Sequence, residues 1–213
     1  MEQLEIHERP AAGGRADGLL ILHHGRGADE HDLSGLADYF DPERRLHAIM
    51  PRAPLTLPGS PGYHWYRVPR VGYPDLDTFW AAFHQLAALH DSLWATTGLG
   101  PERTVLGGFS MGCVMSYALG LGTGRPMPAG ILAFSGFLPT VEGWQPDLGS
   151  RSGMPVFISH GQNDPVIAIG FAHRARQLLQ AADLSVEYHE LDGGHQIDPR
   201  AARSARTWLS GVL

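Results

Sequence analysis

A chain of 213 residues, 43% hydrophobic and 18% charged with a formal charge of −6, has the size and composition of one globular domain spanning residues 1–213. The acidic balance argues against a nucleic-acid partner, which calls for a basic stripe, and the absence of lysine among the 16 basic residues excludes a Schiff-base lysine. No apolar run approaches the roughly 20 residues that span a bilayer. The opening Met-Glu-Gln-Leu-Glu-Ile has no secretory core and the single Cys113 cannot close an internal disulfide, so a cytoplasmic protein is expected.

Short apolar runs alternate with longer amphipathic ones. Leu19 to Leu22 reads as a buried strand, followed by a Gly-rich loop and a helix near Asp32 to Phe40. Leu46 to Met50 is the next strand, ending in Pro51-Arg-Ala-Pro54. Residues 55–74 mix proline and glycine with aromatics and are expected as an ordered loop. Asp77 is the expected cap of the longest helix, about Thr78 to Thr97, whose Phe79, Phe83, Leu86, Leu89 and Leu93 share one face. Thr104 to Gly107 is a strand and Met111 to Leu121 a helix. Strands then follow at Gly130 to Phe134, Pro155 to Ser159 and Ser185 to Leu191. The last two are each followed by a helix, near Ile167 to Ala182 and at Pro199 to Leu209. Strand and helix in alternation, with short joins, predict an α/β fold with a mostly parallel central sheet and helices on both faces. In such a sheet a ligand site lies at the carboxyl ends of the strands.

Three candidate groups fall at those ends. Gly108-Phe-Ser-Met-Gly112 stands between a strand and a helix, the context of a nucleophile elbow with Ser110 at its apex. A serine hydroxyl needs a base to take its proton, and the base needs an acid to fix its tautomer. Asp164 lies in the loop after the strand Pro155 to Ser159, and His195 follows the strand Ser185 to Leu191. Their order, Ser then Asp then His, is that of elbow-type hydrolases. Asp192 and Asp198 are rival acids, but neither sits at the expected strand end. His160 is expected to be a structural hydrogen-bonder beneath the acid loop. An oxyanion needs preorganised donors; the backbone N–H groups of Met111 and Arg26 are the candidates, the latter in Leu22-His-His-Gly-Arg-Gly27.

These segments together resemble the phospholipase/carboxylesterase family of α/β-hydrolases, which includes the small acyl-protein thioesterases. The matching pieces are His24-Gly-Arg-Gly27 with Asp29 and Asp32, Pro51-Arg-Ala-Pro54, His64-Trp-Tyr66, Gly107 to Gly112, His160-Gly with Asp164-Pro-Val166, and Gly194-His195. The resemblance implies a serine hydrolase with little or no cap domain and no cofactor, acting on short- to medium-chain acyl esters or thioesters. It places Trp65 and Val166 at or near the substrate and leaves monomer or homodimer open. Two residues depart from the family pattern. Met111 stands where relatives often carry glutamine, and Arg26 where they often carry an apolar residue, so substrate does not transfer.

His23, His24, Asp29, His31 and Asp32 are dense enough to suggest a metal, yet no HExxH or paired spacing supports one, and none is expected. Cys113 lies nearly a helical turn past the elbow and is expected to be a buried thiol. Tyr63, Trp65 and Tyr66 read equally as loop packing or as a pocket wall. A serine carboxylesterase is therefore the expected activity. A thioesterase or lysophospholipase-like hydrolase shares its chemistry, and a non-catalytic hydrolase-fold binding protein is the rival from another class.

Overall fold

The computed structural model of the protein describes residues 3–213. Seven strands form one sheet in the order β1-β3-β2-β6-β7-β8-β9. They are β1 (Ile6–Arg9), β2 (Leu19–His23), β3 (His47–Pro51), β6 (Thr104–Phe109), β7 (Gly130–Phe134), β8 (Pro155–Gly161) and β9 (Ser185–Leu191). All neighbours run parallel except β1, which pairs antiparallel with β3 at the edge. A separate hairpin, β4 (Leu55–Leu57) and β5 (Ser60–His64), stands off the sheet.

The central strands read as nearly unbroken apolar runs because both of their faces are covered. Leu19, Ile21, Leu106, Ile131 and Val156 face one core with residues of α2 (Leu76–Thr97), α3 (Met111–Leu121) and α4 (Gly170–Ala181). Leu20, Leu22, Val105, Leu132 and Phe157 face the other, with α1 (Ser34–Phe40) and α5 (Pro199–Val212). Every residue of α3 is buried, so the helix behind the elbow is clamped along its whole length.

Several boundaries differ from expectation for identifiable reasons. The cap of α2 is Asp75, whose side chain accepts from the Thr78 N–H at 3.1 Å; Asp77 lies inside the first turn. Asp77 is also well placed there, since a carboxylate is favourable near a helix N-terminus. The loop 55–74 contains the β4–β5 hairpin. Strand β1 was not expected, being a short polar edge strand whose Arg9 is buried against Asp41 at 2.8 Å. Helix α4 starts at Gly170 rather than Ile167, because the Val166 and Ile167 N–H groups donate to the Asp164 carboxylate.

Candidate active site

The chain leaves β2 toward β3 on one side and returns with β6 on the other, so the strand order reverses between β2 and β6. A crevice opens at such a switch point beyond the strand carboxyl ends. The loop after β2 and the turn after β6 form its two banks. At the apex of the second, Ser110 has φ 54° and ψ −117°. A non-glycine residue in so sparsely populated a region costs about 1–3 kcal/mol and persists only where the surroundings enforce it. Here they do. The Ser110 N–H donates to the Phe134 carbonyl at 2.9 Å, and Ser110 accepts the first bond of α3 from Val114 at 3.2 Å. The flanking glycines admit this turn: a Cβ on Gly108 would lie 2.5 Å from the Gly112 carbonyl, and one on Gly112 would lie 2.0 Å from the His23 carbonyl oxygen.

The loops after β8 and β9 are stitched together by backbone. Gln162 donates to the Leu191 carbonyl at 2.8 Å and Asn163 to that of Gly193 at 2.9 Å, while Gly161 has no room for a Cβ beside the Gly193 and Gly194 carbonyls. This brings Asp164 and His195 together. His195 Nδ1 lies 2.7 Å from Asp164 Oδ2, and His195 Nε2 lies 2.8 Å from Ser110 Oγ. The other oxygen of Asp164 accepts two backbone N–H groups, Val166 and Ile167, each at 2.8 Å. Burial pushes the Asp164 carboxyl up, but His195 and those two amides outweigh it and hold it below its ordinary value. The arrangement can draw the Ser110 proton onto Nε2 and stabilise the resulting imidazolium through Oδ2. Of the rival acids, Asp192 pairs with Asn163 at 2.9 Å and Asp198 caps α5. His160 donates from Nε2 to the Ile167 carbonyl at 2.8 Å and lies 3.3 Å from Asp164 Oδ2, supporting the acid loop from below. Burial lowers its pKa and keeps it neutral.

Met111 is the first residue of α3, where a backbone N–H has no intrahelical carbonyl to meet and sits at the positive end of the helix. Across the crevice, His24 fixes the Gly25–Arg26 peptide. Its Nδ1 donates to the Gly25 carbonyl at 2.7 Å, while Nε2 accepts from Ala53 at 3.0 Å in the turn after β3. Burial lowers the His24 pKa and so favours the neutral ring that can do both. The carbonyl of Gly25 and the N–H of Arg26 belong to one planar group, so holding the first orients the second.

A narrow, half-open cleft lies over Ser110. Met111 and Ser110 form part of its lining; Val68, Val71, Tyr73, Phe137, Val166 and Ile167 give most of its apolar wall. Val166, expected near substrate, lines it and is exposed. Trp65, also expected there, does not line it: the ring is fully buried and its Nε1 donates to the His24 carbonyl at 2.9 Å. The next residue, Tyr66, takes that position, in the bend that follows β5. The segment from Val68 to Pro74 and Phe137 were missed by sequence reasoning, for they carry no motif. Cys113 is fully buried against Gly136, and burial pushes its thiol pKa up. Among the described residues no group of three or more His, Cys, Asp or Glu side chains is placed to hold a metal, and no helix is long and apolar enough to cross a membrane.

A doubly covered parallel sheet with a strand–serine–helix elbow at its switch point is the α/β-hydrolase fold. The chain belongs to the phospholipase/carboxylesterase family, whose model matches residues 6–213, and thus to a group of hydrolases that act on ester bonds. It is similar to the solved structure of esterase PE8, with a TM-score of 0.87, 31% identity and 100% of both chains covered. The putative hydrolase MhqD of Bacillus subtilis is 27% identical over 94% of this chain and 96% of its own. Acyl-protein thioesterase 1 of Saccharomyces cerevisiae is 28% identical over 76% of each.

Proposed function

We propose that residues 1–213 act as one serine carboxylesterase domain that hydrolyses short- to medium-chain acyl esters through an acyl-enzyme. The observation that carries this reading is the unbroken relay Ser110–His195–Asp164, with links of 2.8 and 2.7 Å at the floor of an apolar cleft. Ser110 Oγ attacks the ester carbonyl as His195 Nε2 takes its proton. The Met111 and Arg26 N–H groups receive the developing oxyanion. His195 then gives the proton to the leaving alcohol, and water repeats the sequence to free the acid.

Hydrolysis of p-nitrophenyl esters from acetate to palmitate tests this. Activity should peak at short to medium chains, and Ser110→Ala should lower turnover by about six orders of magnitude, the loss seen when a comparable serine hydrolase loses its nucleophile. Wild-type rates in the variant would overturn the reading. Failure of Ser110 to react with a fluorophosphonate probe would instead favour a binding protein on a hydrolase scaffold. The likeness to acyl-protein thioesterase 1 supports a second reading, thioester hydrolysis by the same residues. Matched oxygen and sulfur esters separate the two.

A further inference from the structure

We propose that this site selects esters bearing a carboxylate, with Arg26 and Arg70 as the residues that bind it; this rests on the ester-hydrolase reading above. Two residues with charged side chains line the cleft over Ser110, and both are arginines. No acidic residue lines it among the described residues, although the chain as a whole carries a charge of −6. Both guanidinium groups belong to exposed residues. Within the described residues neither pairs with a carboxylate, whereas Arg9, Arg52, Arg125 and Arg151 are each drawn into an ion pair.

Arg70 is also held in place. Its Cζ lies 3.6 Å over the centre of the Tyr73 ring. Stacking occupies a face of the guanidinium and leaves the in-plane N–H donors free, the geometry that meets a planar carboxylate. The turn that carries it is pinned at several points. Tyr73 donates to the Arg70 carbonyl at 2.9 Å, Gly72 supplies a φ of +82°, and the Thr140 hydroxyl donates to the Gly72 carbonyl. Gly72 also packs so closely on Phe171 that a Cβ would lie 2.7 Å from the ring. Arg26 belongs to a different element, the loop after β2, whose backbone N–H is the proposed second oxyanion donor. A neutral ester would leave both cations to water and gain nothing from them. A carboxylate a few bonds from the scissile carbonyl would answer them with charge-assisted hydrogen bonds.

The experiment compares hydrolysis of matched methyl esters by proton release: monomethyl glutarate and adipate against methyl pentanoate and hexanoate. A second pair carries the charge on the alcohol side, 3-acetoxypropanoate against propyl acetate. In at least one arm the charged ester should be preferred in kcat/KM by roughly tenfold or more. Arg70→Gln and Arg26→Gln should each cut that ratio several-fold, the neutral ester serving as the reference within each variant. In parallel, glutarate binding to Ser110→Ala protein is titrated by calorimetry and repeated with Ser110→Ala/Arg70→Gln. Neutral esters hydrolysed as well as charged ones in both arms would overturn the proposal and leave the esterase reading intact. No hydrolysis of any ester, with glutarate still bound in an Arg70-dependent way, would sink the esterase reading and keep the anion site. Loss of both removes the proposal.

Discussion

The two walls of the cleft are built on different principles. On the wall that carries Ser110, Asp164 and His195, position is set by backbone. Gly108, Gly112 and Gly161 let chains approach where no Cβ fits, and the loops after β8 and β9 are joined by main-chain hydrogen bonds. On the opposite wall, residues 66–74, position is set by side chains: the Arg70–Tyr73 stack, the Gly72–Phe171 contact and the Thr140 hydroxyl. Backbone contacts tolerate almost no substitution, because peptide groups cannot rotate out of the way. Side-chain contacts relax. The wall assigned to reaction is therefore expected to be brittle and the wall assigned to recognition to be adjustable.

The sharpest break in that contrast would come from Asp164→Asn. The backbone bonds to Oδ1 survive, but the wrong tautomer of His195 is favoured, and kcat should fall by about 10⁴. A loss under tenfold in a steady-state assay would show that the relay does not run through Oδ2. Next is Gly112→Ala, whose new methyl would meet the His23 carbonyl. It should destabilise the fold by about 3 kcal/mol, a Tm drop on the order of 6–12 °C, and lower kcat together with it. On the other wall, Gly72→Ala is strained at φ +82° but meets the tip of a phenyl ring that can swing. KM should rise several-fold with kcat within about twofold; equal losses in Gly72→Ala and Gly112→Ala would erase the distinction between the walls.

The smallest effect on turnover at neutral pH should come from beneath both. His90 on α2 is fully buried beside His23, rings stacked 5.5 Å apart, and burial lowers its pKa to about 3. Its unfolded value is near 6.5, so between pH 6.5 and 3 the unfolded chain holds the extra proton. Stability is thus present above pH 6.5 and declines as pH falls toward 3, by about 1.4 kcal/mol per unit for one such group. His90→Leu should flatten that decline in thermal melts and leave kcat/KM near neutral pH unchanged. An undiminished slope would assign the acid sensitivity to other groups, of which His23, also depressed by burial, is the first.

How much of this could be read from the sequence follows the same division. The order Ser110, Asp164, His195 and the glycines around them are local signals, and the structure brings those side chains into hydrogen-bonding contact. The sheet and its covering helices were equally visible, because parallel strands buried on both faces leave apolar runs that need no partner to be recognised. The segment 66–74 was not. Its conformation depends on Thr140, 68 residues away from Gly72, and on Phe171 in α4, contacts that leave no pattern in the residues themselves. Trp65 and Tyr66 make the same point at single-residue scale. Both are aromatic and both are buried, and only the bend after β5 decides which one meets the cleft. The start of α4 was misplaced because Val166 and Ile167 hold the Asp164 carboxylate rather than beginning a helix.

The adjustable wall is one contiguous stretch, closed at one end by hairpin β4–β5 and at the other by the Asp75 cap of α2. None of the strands that carry Ser110, Asp164 or His195 passes through it. New selectivity can therefore arise by exchanging a single short segment as a unit, without disturbing the residues assigned to bond cleavage. The rest of the lining, Arg26, Phe137, Val166 and Ile167, lies outside it and would stay as a fixed frame for the exchanged segment. Grafting it between relatives is the natural unit of redesign.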